Sequence, residues 1–395
     1  MAVRANKPAF NIREKLKELT HSIGLKGREL MSAATVQEAR DLVSAGRKNL
    51  IINGAMQVWQ RGTSLTGLSN GSNAFLADRW KYGEGGTMSA VVTMSQETDV
   101  PTGQGFGYSL KVSPTTADAS IDANEIQVFA YQIEARDLLQ LGYGTPNAKS
   151  STLSFWVKSS QAGTATIWLT VPNAGQSCAL QYTVHRSNAW QKIILTIPAN
   201  TSGTIPNSNA SGMTFYWNTA AGTNFTGTGG NDGFWGAQTD TGRAIGQTIN
   251  YLETTSDYFQ ITGVQLEVGK NATDFEHRSF GEELALCQRY FYKFRLTTQE
   301  WIYNEGNSAS NKWHQFYIGH SMRPISGIDV TGVTTGGSIG GLSGTINSYA
   351  VYEIPGDTPS RVSSRVTMTQ SGGTARNIHH YDGWSSDYID VNAEL

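Results

Sequence analysis

Thr152-Leu153-Ser154-Phe155-Trp156-Val157-Lys158 is a short run mixing apolar and polar residues, and Thr164 to Val171 follows it closely with a second run rich in β-branched side chains. Runs of this length, bounded by Gly, Asn, Ser and Pro, read as strands. The same texture begins at Lys48 and returns at Lys192 to Ile197 and Phe259 to Val268. Short strands at such spacing, with turn-rich gaps, predict a mainly β fold, a sandwich or jelly roll rather than a parallel sheet with crossover helices.

Composition agrees with that reading. Of 395 residues, 38% are hydrophobic and only 16% charged, with 43 Gly, 10 Trp and 16 Tyr. Polar uncharged side chains must therefore cover the surface, as in antiparallel sheets whose turns take Gly, Asn and Ser. At about 150 residues per domain the length suggests two or three domains. The net charge of −2 divides into +5 for residues 1–48 and −7 for the remainder. The basic arm is read as a solvated helix face, and no nucleic-acid partner is expected. Cys178 and Cys287 lie far apart, outside any CxxC pair or metal-spaced cluster, which argues against a disulfide scaffold. No apolar run approaches the roughly 20 residues that cross a bilayer. The start Met1-Ala2-Val3-Arg4 lacks the apolar core of a signal peptide, so a soluble protein made in a cytoplasm is expected, without membrane insertion.

Three segments are expected. In residues 1–47, Ile12, Leu16, Leu19 and Ile23 recur at helical spacing behind a capping box of Asn11 and Glu14, and a shorter helix follows Thr35, with Glu38 three residues on. Two short helices bury little alone, so this segment is read as an attachment or trimerising element. Residues 48–284 form the jelly roll, within which Ser202 to Thr248, crowded with Gly, Asn and Thr, reads as a long decorated loop. A brief helix over Phe280 to Tyr290 leads into residues 285–395, a smaller β-sandwich with strands near His314 to Ile318, Ala350 to Ile354, Arg365 to Thr369 and Tyr388 to Val391. No fixed-period repeat is present, which argues against a long β-helix.

For chemistry, no nucleophile elbow, P-loop, metal-ligand cluster or paired-carboxylate signature occurs, and a non-enzymatic protein is expected. His379-His380 with Asp382 is the tightest His/Asp group, but neighbours on a strand point to opposite faces. Glu125, Glu134, Asp232 and Asp240 have no spacing that marks a glycosidase pair. No cofactor is expected, although loop carboxylates and carbonyls leave room for a structural Ca²⁺. Sugar binding needs flat aromatic faces for C–H-rich rings, with amides and carboxylates for the hydroxyls. The stretch from Tyr216 to Asp240 supplies Trp217, Asn218, Asn231, Asp232, Trp235 and Asp240; the alternative is that Trp217 and Trp235 plug the end of the sandwich. A second candidate is the tip of the last segment, with Trp301, Trp313 and Trp384. Trp156 and Trp168 lie in strand runs and are read as core.

The run Asn49-Leu50-Ile51-Ile52-Asn53-Gly54-Ala55-Met56-Gln57-Val58-Trp59-Gln60-Arg61-Gly62-Thr63-Ser64, followed by Ala77-Asp78-Arg79-Trp80, resembles the opening of a family of phage and prophage tail proteins with carbohydrate-binding-module-like jelly rolls. The likeness continues in Tyr131 to Glu134, Thr152 to Ser160, Ile261 to Gly269 and Ala272 to Tyr290. Val3 to Leu16 resembles the start of structural proteins in cyanobacterial phages, and Ile389 to Leu395 the end of phage tail fibres. The resemblance implies a virion component made in the host cytoplasm, homotrimeric, joined to other tail or capsid proteins through its N-terminal segment and recognising host cell-surface polysaccharide. A tail fibre is the leading reading; a capsid decoration or head-fibre protein, a tail adaptor without a sugar ligand, or a depolymerase are the alternatives. Physically, Leu50 to Ile52 reads as a strand, Asn53-Gly54 as a tight turn and Val58-Trp59 as the returning strand. Asp78, Arg79 and Trp80 read as a charge-assisted contact fixing the domain edge.

Overall fold

The computed structural model describes residues 48–295, the strand residues 303–304, 312–318, 329–331, 351–352, 364–370 and 388–392, and residue 394. The chain divides into two compact units, Met1–Lys48 and Asn49–Leu395. The two helices expected before residue 47 lie outside the described residues, as do Trp301, His379, His380, Asp382 and Trp384.

Two antiparallel sheets form the body. One runs β1 (Ser64–Leu68), β4 (Val91–Glu97), β5 (Ser109–Thr116), β13 (Phe259–Val268), β7 (Ser151–Ser159) and β10 (Gln191–Ile197). The other runs β12 (Gly236–Ala237), β9 (Gln176–Val184), β8 (Gly163–Val171), β11 (Ser211–Ala221), β6 (Ile126–Glu134), β3 (Trp80–Gly85) and β2 (Asn73–Phe75). Neighbours that are distant in sequence, such as β13 between β5 and β7, make this the predicted jelly-roll sandwich. After helix α1 (Phe280–Gln288), whose Ser279 cap accepts from Glu282 N at 3.3 Å, two smaller antiparallel sheets follow. They run β14 (Phe291–Arg295), β20 (Tyr388–Asn392), β17 (Asp329–Thr331), and β15 (Tyr303–Asn304), β16 (Lys312–Ile318), β19 (Ser364–Gln370), β18 (Val351–Tyr352).

The core lies between the two large sheets. Strand alternation sends Leu153, Phe155 and Val157 of β7, and Met213, Phe215 and Trp217 of β11, into one cluster with Trp80, Phe129 and Tyr131. Trp80 stacks on Phe129 at 5.1 Å, and Phe155 meets Trp217 edge-on at 5.9 Å, geometries that suit ring quadrupoles.

Three expectations are corrected here. The region Ser202 to Thr248 is not all loop, because β11 is a central strand of the larger sheet. Its polar residues disguised it, yet Asn218 Nδ2 donates to Thr166 O (3.0 Å) and Arg243 O (2.9 Å), and Thr219 Oγ1 donates to Gln127 Oε1 (2.8 Å). Hydrogen-bonded in this way, polar side chains can be buried at little cost.

The opening motif is not a hairpin. Asn53 does take the left-handed conformation (φ 57°), but no ladder joins its flanks. Leu50 N instead donates to Leu266 O, and Asn53 Oδ1 accepts from Gln57 N and Val58 N while its Nδ2 reaches Val58 O and Asp78 O. Gly54 lies so close to β13 that a Cβ would stand 2.0 Å from Val264 O.

Asp78 and Arg79 do not pair with each other at an edge. Both are buried: Asp78 meets Arg61 at 3.4 Å and Gln60, whereas Arg79 meets Glu394 and stacks on Tyr290 at 3.5 Å. The quoted motifs therefore converge on one buried polar knot. Glu283 accepts from Asn53 N, Tyr131 OH accepts from Ile52 N at 2.7 Å, and Arg289 grips Glu134 through Nη2 (2.8 Å) and Nε (3.0 Å). What resembles a family signature is, in this fold, a fastening between the loop before β1, the α1 region and the larger sheet.

Candidate functional site

The site lies on the outer face of the six-stranded sheet. In β7 the inward parity of Leu153, Phe155 and Val157 leaves Trp156 facing out, half-buried. In register it pairs with Lys192 of β10 on one side and Thr262 of β13 on the other. Next to it β13 bulges, with a register break between Thr262 and Gln265 and Gly263 at φ +63°. A Cβ at Gly263 would lie 2.5 Å from Phe106 and 2.9 Å from the Trp156 indole. The glycine thus lets both rings close over the strand.

A pocket of about 320 Å³ opens at this point, lined by Trp156, Lys192, Gln104, Asp274, Phe275 and His277 beside Gly263. Phe106, Phe275 and His277 form a ring triad at 4.9 to 5.3 Å, and His277 Nε2 is 3.0 Å from Gln104 O. The pocket wall is thereby built from two loops, before β5 and after β13. Further along the same face Trp190 Nε1 donates to Asp99 Oδ1 at 3.0 Å, and Lys158 Nζ to Asp99 Oδ2. Burial alone would raise the Asp99 pKa, but these two hydrogen bonds and the charges of Lys158 and Lys111 together outweigh it and hold the carboxyl below its ordinary range. Lys111 Nζ sits 5.0 Å over the Tyr258 ring, whose hydroxyl donates to Asn188 at 2.8 Å. The face therefore offers half-buried rings flanked by amide, carboxylate and ammonium groups, the mixture that orients a polyhydroxylated ring.

The residues singled out from the sequence fall elsewhere. Trp217 is fully buried in the core and Asn218 buried in the sheet, so neither can meet a ligand on the surface. Their positions on β11 point between or within the layers. Trp235 donates to Pro198 O at 2.8 Å and lies edge-on to Tyr143 at 5.9 Å, packed against the main core as an end plug. Asn231 is bound to Ser177 and Ala237 O, and Asp232 accepts from Gln181 Nε2 at 2.8 Å. Asp240, largely exposed, pairs with Arg243 at 3.4 Å. Trp313 lies in β16, with its side chain outside the described residues. Of the two tryptophans read as core, Trp168 is buried, in a separate small cluster with Ala179 and Ile245, with Arg243 at 4.4 Å over its ring. Trp156 is the correction that matters: the parity of its own apolar neighbours marks it as outward-facing.

Among the described residues, no three or more His, Cys, Asp or Glu side chains are grouped to hold a metal ion. Both cysteines are buried free thiols.

The fold and groove define an antiparallel β-sandwich with an open aromatic recess on one sheet face. No protein-family model matches the sequence, and no curated protein matches it. Among solved structures the chain is similar to the enzymatically active domain of bacteriophage CBA120 tailspike protein 4, at TM-score 0.28 and 14% identity, over 51% of this chain and 21% of that one. It is similar to a structure described as CBM4 (TM-score 0.27, 13% identity, covering 55% and 97%). A family 11 carbohydrate-binding module from Clostridium thermocellum gives TM-score 0.25 and 13% identity, covering 53% and 98%. Likenesses this distant say nothing of activity; the strand ladders themselves establish the sandwich.

Proposed function

We propose that the protein is a non-catalytic structural component of a phage virion, a tail fibre or equivalent receptor-binding protein, that holds host surface glycan in the groove at Trp156. The observation that carries the binding role is the recess of about 320 Å³ walled by Trp156 and Phe275, with Gln104, Lys192 and Asp274 at its rim. Indole and phenyl faces take the C–H face of a sugar ring, and the polar rim takes its hydroxyls. Among the described residues Asp274 is the single carboxylate lining the pocket, whereas glycosidic cleavage ordinarily uses two. The virion role is supported by the resemblance of Asn49 to Ser64 and Ala77 to Trp80 to phage tail proteins. In this reading residues 1–47 attach the protein to the tail, residues 48–284 carry the glycan site, and residues 285–395 form a further β domain. A homotrimer multiplies a weak site into firm attachment.

Two experiments test the reading. Purified protein applied to host cells or their envelope polysaccharide is expected to be retained, and Trp156→Ala to be washed off; equal retention of both proteins removes the site. Immunogold imaging of particles is expected to place label on the tail, and label on the head would move the assignment to capsid decoration.

A further inference from the structure

The outer face of the six-stranded sheet carries three lysines, two of which have no ion-pair partner among the described residues. Its strands present Lys111 on β5, Lys158 on β7 and Lys192 on β10. Gln260 of β13 pairs with both Lys111 and Lys158, which puts those two lysines in one cross-strand row, about 10 Å apart at two strand spacings. Lys192 pairs with Trp156, two residues back along β7 from Lys158. Lys158 and Lys192 thus flank Trp156, with Lys111 two strands away on the same face.

Four carboxylates lie on or beside this face, and among the described residues only Asp99 pairs with one of the three lysines, Lys158. Glu267 on the same sheet is buried and held by Thr273 and Gln265. Glu97 accepts from Ser95 at 2.7 Å. Asp274 lines the same pocket as Lys192. Lys111 and Lys192 make no ion pair among the described residues, and Lys192 is exposed at the pocket lip. These two lysines sit on a body whose residues after 48 sum to −7. An ammonium group donates to a neutral sugar's hydroxyls but pairs more strongly with a carboxylate or sulfate, and an anionic saccharide would be repelled by the acidic body unless its docking face supplied local positive charge.

We propose that the saccharide taken by this groove is acidic, a polysaccharide bearing carboxylate or sulfate groups that meet Lys192 and Lys111 while a ring lies on Trp156. The proposal rests on the glycan-binding reading and names the ligand class for the same site.

The test is affinity electrophoresis and calorimetry of the full chain with polygalacturonate, alginate and a sulfated galactan. Each is paired with its neutral counterpart, the methyl ester or the desulfated polymer. Tight binding to at least one acidic polymer is expected, weakened by removing its charge and by raising salt to about 0.3 M, where the Debye length is below 8 Å. Lys192→Gln is expected to weaken binding to the acidic polymer about two- to five-fold, and to change binding to the neutral counterpart less. Trp156→Ala is expected to abolish both, which separates a seated ring from charge adhesion alone. Equal binding of charged and neutral forms, an unchanged Lys192→Gln, or Trp156→Ala that still binds the acidic polymer overturns the acidic-ligand proposal. In the first two cases the glycan-binding reading stands. No binding to any polymer, acidic or neutral, overturns both.

Discussion

Trp156 and Trp217 are both strand tryptophans, and only their parity separates them. Trp217 shares its face with Met213 and Phe215, all wholly buried, so Trp217→Ala should cost about 3–5 kcal/mol, read as a large fall in melting temperature. Asp78 gives a different kind of prediction. Burial lifts its pKa from 3.8 to about 6, against the opposing pull of Arg61 and Gln60. Because the folded form holds this proton where the unfolded chain has lost it, the group's stabilisation is complete below pH 3.8 and is lost as pH rises through about 6. The loss amounts to at most about 3 kcal/mol at 1.36 kcal/mol per pKa unit. Asp78→Asn should therefore gain on the wild type as pH rises from about 4 to 7, measured as the difference in melting temperature across that range. A difference independent of pH would show that Asp78 does not titrate there. Residue parity was legible for Trp156, since Leu153, Phe155 and Val157 already claim the inner face. It was hidden for Trp217, where aromatic residues occupy Phe215, Tyr216 and Trp217 in succession and no alternation shows.

At the scale of elements, the site depends on a bulge. β13 breaks register at Gly263, and the left-handed glycine clears space for Phe106 and Trp156. Gly263→Ala combines a positive φ with a Cβ at 2.5 Å from the Phe106 ring, and should destabilise the protein by about 1–3 kcal/mol. It should also weaken glycan binding, because the indole must shift; unaltered affinity and stability would mean the bulge is incidental. Strand existence was legible wherever β-branched and aromatic residues ran between turn residues, as in β7, β8, β10, β13, β16, β19 and β20. β11 was not legible, since Asn218 and Thr219 look like loop until their hydrogen bonds to Thr166 O and Gln127 are seen. The opening motif misled for the converse reason. Asn53-Gly54 has hairpin chemistry, but tertiary partners from β13 and α1 took the backbone groups a hairpin would have paired.

For the whole molecule, the polar knot ties the distal strands to the sandwich. Glu394, two residues beyond β20, places its carboxylate on Arg79 and, at 3.3 Å, on Arg61. Removing one partner leaves a buried charge unanswered, so Glu394→Ala should cost about 3–5 kcal/mol and lower the melting temperature of the sandwich itself. An unchanged melting temperature would show that Glu394 adds nothing to it. Long-range pairings of this kind, 315 residues apart for Arg79 and Glu394, leave no trace in local periodicity, which is why fold class could be read from the sequence while the polar knot could not.

The most direct measurement is calorimetric titration of wild-type protein and Trp156→Ala with host envelope polysaccharide, with melting curves taken on both. The groove on the six-stranded sheet predicts saturable binding by the wild type and its loss in the variant, with melting temperatures within a few degrees of each other. Undiminished binding by a folded Trp156→Ala protein would contradict it.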